Sequence, residues 1–238
     1  MTTQIYDPKE ILGDFLRTRV TDPRSRHTLT SDSFTATAAQ TEFTVTPTSG
    51  YRMQAVSSVT VNTAAQNKWE DYYIDTQNQK IVLISGATVS DAVVVNYWEG
   101  TGSWIYPDKP REDIGPASFP RMSIMVVGSP GDRLGKYDAA VEHNIHFQVD
   151  IWARLAKGSP ETQIFTVAGR KYEGDRLAHV LGNQVCQALK LYESDLHPIM
   201  YDYHPVSGPR SLPVEREHEV FHTVIEFQLK MLNIGEAL

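Results

Sequence analysis

The sequence predicts an α+β fold in two parts. One is a body with a mainly antiparallel sheet, packed by one long helix plus an N-terminal helix. The other is an inserted all-β, sandwich-like domain. Three observations predict this. Residues 33–98 are sparsely charged, rich in Thr, Val and Ala, and broken into short strand patterns by turn signals. Residues 114–238 instead show long strict alternation around one amphipathic stretch. A short helix pattern at about 8–20 precedes the β module. It has a single apolar face, so it must dock on something, and the second part supplies the surface. The expected division is 1–30 and 101–238 for the body and 31–100 for the inserted module.

Each element has its own signal. Asp7-Pro8-Lys9-Glu10 opens the first helix, with an N-cap Asp and Pro at the first helical position. Ile11, Leu12, Phe15 and Leu16 recur at helical spacing, and Asp22-Pro23 closes the segment. Strand patterns follow at Phe34–Thr37, Glu42–Val45, Val56–Val61, Tyr72–Asp75, Ile81–Ile84 and Ala92–Trp98. The turn Thr76-Gln77-Asn78-Gln79 and Ser85-Gly86 punctuate them, and Gly100-Thr101-Gly102-Ser103 reads as a linker. A stretch with Pro107, Pro110, Pro116 and Pro120 leads into a buried strand at Met122–Val127. In 143–152, Ile145, Phe147, Val149 and Ile151 take one face, and His146, Gln148, Asp150 and Trp152 take the other. Residues 173–193 form the long helix, with a stripe of Leu177, Val180, Leu181, Val185, Ala188, Leu189 and Tyr192. A strand at 198–206, a loop from Val206 to Pro213 and a long strand at 218–232 complete the chain. In that last strand Thr223, Ile225, Phe227, Leu229 and Met231 share a face.

Composition narrows the function. Hydrophobic residues make up 41% and charged residues 21% of the 238, as in ordinary globular chains. No apolar run approaches the roughly 18–20 residues that cross a membrane. The start, MTTQIYDPKE, lacks the basic and apolar segments of a secretory signal. A net charge of −7 counts against a nucleic-acid groove. The locally basic Arg17, Arg19, Arg24 and Arg26 read as a solvated helix end or as a contact with an acidic partner. The single Cys186 excludes an intrachain disulfide and falls in the helical pattern, as a small buried residue.

No constellation of residues points to catalysis. His143, His146 and Asp150, and His218 with His222, have loose spacing for a closed metal site, so no metal is assigned. Phosphate-cradling glycine motifs and nucleophile elbows are absent. Glu112/Asp113 and Glu70/Asp71 sit beside turn residues, where nothing raises a carboxyl pKa for acid–base work. No cofactor is assigned. Trp69, Tyr72, Tyr73, Tyr97 and Trp98 read as packing of the β module or as a sugar-binding platform. Trp152, on the polar side of its strand, reads as a contact with another chain or as a residue covered by the first helix.

Two segments carry a family resemblance. Phe119-Pro120-Arg121-Met122-Ser123-Ile124 forms one strand. His146-Phe147-Gln148-Val149-Asp150-Ile151-Trp152-Ala153 forms the next, followed by the helix at 173–193 and the strand Val224–Leu232. In this order, with the helix at 8–20 in front, the chain resembles the tail-terminator (tail-completion) proteins in the neck of long-tailed viruses of bacteria and archaea. The insert resembles β modules of viral tail and fibre proteins, and the plain family pattern lacks it.

The resemblance implies a non-enzymatic virion protein that assembles in the host cytoplasm. It implies a homo-oligomeric, hexameric ring that caps the tail tube and joins it to the head–tail connector. DNA would pass through the lumen without specific binding, and no membrane is involved. Loops at 128–140, 157–170 and 206–216 then read as contact arms or as ordinary surface loops. Their interface candidates are Arg133, Lys136, Arg170, Arg210 and Arg216, alongside Trp152. Two other readings stay open: another neck or baseplate component, such as a head-closure or adaptor protein, and a carbohydrate-binding virion protein acting through the β module.

Overall fold

The computed structural model describes residues 7–76, 78–101, 104–106, 119–128, 131–133, 140–155, 163–196, 200–212 and 220–234. The chain is α+β and mostly antiparallel. Among the described residues strand takes 57% and helix 18%, so sheets set the architecture. It divides into two compact units. One joins Met1–Arg24 to Trp104–Leu238, and the other is Ser25–Ser103.

The first unit opens with α1 (Pro8–Arg19). The Asp7 carboxylate accepts from the Lys9 N–H at 2.8 Å, and Pro8 takes a position whose N–H has no helical partner. Ile11, Leu12, Phe15 and Leu16 are buried, and Val20 ends the helix in extended conformation.

The second unit contains β1 (His27–Thr35), β2 (Gln40–Thr44), β3 (Arg52–Val61), β4 (Ala64–Gln66), β5 (Tyr72–Asp75), β6 (Lys80–Ala87) and β7 (Ala92–Gly100). They form a four-stranded sheet, β1-β7-β3-β4, and a three-stranded sheet, β2-β6-β5. Residues of both sheets, among them Phe43, Val59, Tyr72, Ile81, Val95 and Tyr97, share one apolar core. The first strand starts at His27, before the Phe34 that opens the sequence rhythm, because its polar residues gain their order from pairing with β7. Gly100 ends β7 against the Arg26 carbonyl. A Cβ there would lie 2.5 Å from that oxygen, so only glycine fits.

The first unit then resumes with β8 (Ile105–Tyr106), β9 (Arg121–Gly128), β10 (Gly131–Arg133) and β11 (Ala140–Arg154). The hairpin β12 (Phe165–Val167) and β13 (Arg170–Tyr172) leads to α2 (Gly174–Leu191), and β14 (Met200–Ser211) and β15 (Val220–Ile234) finish the unit. Its main sheet has the order β14-β15-β11-β9-β8, with β10 also beside β11. Strands β11 and β15 pair without interruption from Ala140 opposite Ile234 to Arg154 opposite Val220. At about 3.3 Å per residue this ribbon is roughly 50 Å long.

Strict alternation gives the ribbon two faces. Ile145, Phe147, Val149 and Ile151 share one face with Ile225, Phe227 and Leu229, all buried. Leu177, Leu181, Val185 and Leu189 of α2 belong to the same core, with Met122 and Ile124 of β9. The Phe147 and Phe227 rings stack directly across the ribbon, 5.6 Å between centroids. Gly182 lets α2 approach the sheet closely, since a Cβ there would lie 3.1 Å from Pro209 and 3.3 Å from Ile225. Of the stripe read from the sequence, Tyr192 differs: it lies beyond the helix end and is exposed.

Three loop expectations are corrected, and in the 128–140 segment Gly131–Arg133 form β10 against β11. Residues 206–211 continue β14 rather than forming a loop. Pro205, Gly208 and Pro209 are tolerated because β14 is an edge strand whose register is broken by bulges, so fewer of its N–H groups are needed. The end of the 157–170 segment is the β12–β13 hairpin. Replacing Phe227 with Ala should destabilise this unit by about 3–5 kcal/mol through a core cavity. Gly182→Val should destabilise it by about 1–3 kcal/mol through overpacking between α2 and Pro209. Urea unfolding followed by tryptophan fluorescence would measure both, and near-neutral values would mean that the core is not closed where these contacts place it.

Candidate functional site

The face of the β9–β11–β15 sheet opposite α2 brings together charged and aromatic groups from three strands. Pairing register makes the collection possible. Arg121, Trp152 and His222 stand opposite one another on three adjacent strands. Ser123, Asp150 and Val224 form the next row, and Met125, Gln148 and Glu226 the one after.

The first row is an aromatic stack with a cation above it. The Trp152 and His222 rings lie 4.9 Å apart and nearly parallel, at 16°. The Arg121 guanidinium sits 5.4 Å from the Trp152 centroid and 4.7 Å from that of Phe119. Such contacts favour a cation in a dry setting. Trp152 is therefore half-buried, covered by His222 and Arg121 and not presented as a free aromatic surface. Burial pushes the Arg121 pKa below its ordinary value, against a smaller opposing influence from Tyr106.

Asp150 is the buried carboxylate of this face, only 2% exposed. Gln148 donates its side-chain N–H to both oxygens, at 3.0 and 3.1 Å, and His222 Nε2 lies 2.6 Å from Oδ1. These partners offset the cost of burying the charge. One row further, Arg210 Nη2 donates to Glu226 at 2.8 Å, and His146 Nε2 approaches Glu226 at 4.0 Å. Arg210 is thus tied to its own sheet.

A second cluster lies toward the other end of the ribbon. Tyr201 donates its hydroxyl to Glu142 at 2.6 Å. Lys230 Nζ bridges Glu142 at 3.4 Å and Asp202 at 3.1 Å, and His204 lies 3.0 Å from Asp202. The Tyr201 hydrogen bond, more than Lys230, holds the Glu142 carboxyl below its ordinary range. Lys230 is the largest cause of the lowering at Asp202.

The interface candidates are not gathered into one patch. Trp152 and Arg210 share the polar face. Arg170 is exposed on the β12–β13 hairpin. Arg133 lies on β10 beside β11, and only its backbone is described. Lys136 and Arg216 lie outside the described residues, as does His218. Among the described residues no group of three or more His, Cys, Asp or Glu side chains is placed to hold a metal ion. In the β module, Tyr72 and Tyr97 are core residues. Trp98 is half-buried opposite Leu29, which is 50% exposed, on the face away from that core.

Sequence reading did not single out Arg121, Arg154 or the Asp150–His222 pair as site residues. Arg154 shares the parity of Trp152 and was within reach of periodicity. Arg121 and His222 join the site only through strand register, which no periodicity encodes. No protein-family model matches the chain, and no curated protein matches it.

Asp150→Ala and His222→Ala should each destabilise the unit by about 1–3 kcal/mol, and the double variant by clearly less than their sum. A double-mutant cycle in urea measures this, and simple additivity would show that the pair does not interact. Glu142 and Asp202 are both more acidic folded than unfolded. The stability they contribute is therefore present above the ordinary carboxylate range and lost as pH falls through their lowered folded values. Tyr201→Phe should raise mainly the Glu142 titration, and Lys230→Met mainly that of Asp202. Carboxyl-carbon NMR would follow each, and equal responses of both groups to both variants would contradict the assignment.

Proposed function

We propose that this chain is a structural protein of a tailed virus. Its α+β body, with one long helix and an N-terminal helix packed on the sheet, builds a hexameric ring at the head-proximal end of the tail. The ring caps the tail tube and joins it to the head–tail connector, with DNA passing through the lumen. The β-sandwich module at 31–100 is an insert in the chain of this body. A heterologous interface whose rotation closes gives such a ring.

The observation that carries this reading is the pairing of the two segments that bear the family resemblance. Arg121 stands opposite Trp152, Met122 opposite Ile151 and Ile124 opposite Val149. The two strings are therefore one continuous piece of sheet, on which a shared family pattern has a physical basis. Arg170, which is exposed, and Arg210 are the described charged members of the contact surface. Another neck component, such as a head-closure or adaptor protein, would differ in ring symmetry and in the partner it binds.

A second reading has its own observation. Trp98, half-buried beside the exposed Leu29, offers the β module a partly open aromatic surface of the kind that stacks on sugars. Under that reading the full chain binds glycans on an array, and Trp98→Ala abolishes the binding while leaving the fold intact.

Light scattering on the purified chain, alone and mixed with tail-tube protein, tests the ring. The expected mass is about six copies, either alone or once the tube is added. A monomer that ignores the tube would overturn the terminator reading.

A further inference from the structure

Among the described residues, one corner of the polar sheet face carries positive charge without a counter-ion. Arg121 is 9% exposed, and its Nε and Nη1 are buried with no hydrogen-bond partner. Arg154 lies two residues beyond Trp152 on β11, on the same face, and its Nε is likewise buried without a partner. Trp152 stands between them, opposite Arg121 in register. Among the described residues, the nearest carboxylate in register along the face is Asp150, whose oxygens are engaged by His222 and Gln148. Among the described residues, no carboxylate forms an ion pair with either arginine. The Ser123 hydroxyl, opposite Asp150, is also buried and unpartnered.

A buried guanidinium left unpaired is costly, and a charged donor gains most from a charged acceptor. Arginine's planar fork matches the two oxygens of a carboxylate or phosphate. We propose that the corner formed by Arg121 and Arg154, walled by the Phe119 and Trp152 rings, is an oxyanion-binding site. The guanidiniums neutralise the ligand. The aromatic walls exclude water, which strengthens each charge-assisted hydrogen bond. This site is independent of the ring reading, because it rests on the unpaired donors alone.

The test is thermal unfolding of the full chain at constant ionic strength, with chloride replaced stepwise by inorganic phosphate or by glutarate. The expected result is a saturable rise in melting temperature with at least one of them, since a ligand that binds only the folded state stabilises it. Saturation at lower phosphate concentration assigns a phosphate ligand. Saturation at lower glutarate concentration assigns the carboxylate of an acidic side chain. Arg121→Met should abolish the rise, and Arg154→Gln, at a half-buried position, should weaken the apparent affinity about tenfold or more. If Arg121→Met does not fold, Arg154→Gln decides by itself. No rise in the wild type with either anion, or an undiminished rise in the variants, would overturn the proposal.

Discussion

The unbroken pairing of β11 with β15 is the constraint on which the first unit depends. Fifteen residues on each strand are matched from Ala140–Ile234 to Arg154–Val220. Because side chains alternate, a slip of one residue would send every apolar group of one strand to the opposite face. Phe147 stacked on Phe227 makes such a slip expensive, since both rings would leave the core. The register therefore determines two things together. It gives α2 an apolar surface, and it assembles the polar face from residues far apart in sequence.

That polar face is not a solvated surface of separate charges. Asp150 is nearly as buried as the core residues behind it, and its oxygens are engaged by His222 and Gln148. Toward the far end, carboxylates and Lys230 compensate one another in partly exposed positions, where each pair contributes little. At the Arg121 end no described carboxylate pairs with Arg121 or Arg154. A sheet that only closed a core would not need the buried Arg121 there.

The β module follows a different logic. Its two sheets share a core of medium-sized apolar residues with Tyr72 and Tyr97, and its polar turns are held by local hydrogen bonds. Asp91 accepts from both the backbone N–H and the hydroxyl of Thr88, and from the Asn62 side chain. Such turns need no support from the rest of the chain. The module's compactness is thus consistent with an inserted piece.

The sequence by itself determined the α+β class, because periods of two and of 3.6 are direct projections of strand and helix geometry. It identified α1 from its cap and spacing, α2 from its stripe, and the buried faces of β11 and β15 from alternation. It did not reveal that β14 runs on past Val206, since proline and glycine read as a loop until an edge position makes them acceptable. Trp152 was visible as a polar-face aromatic, but not as a residue covered by Arg121 and His222. Only the tertiary structure decided those contacts, along with the Asp150 pair and the arginine nitrogens left without hydrogen-bond partners. Each depends on which residue stands opposite which, and strand register is a property of the folded sheet that no single strand's sequence contains.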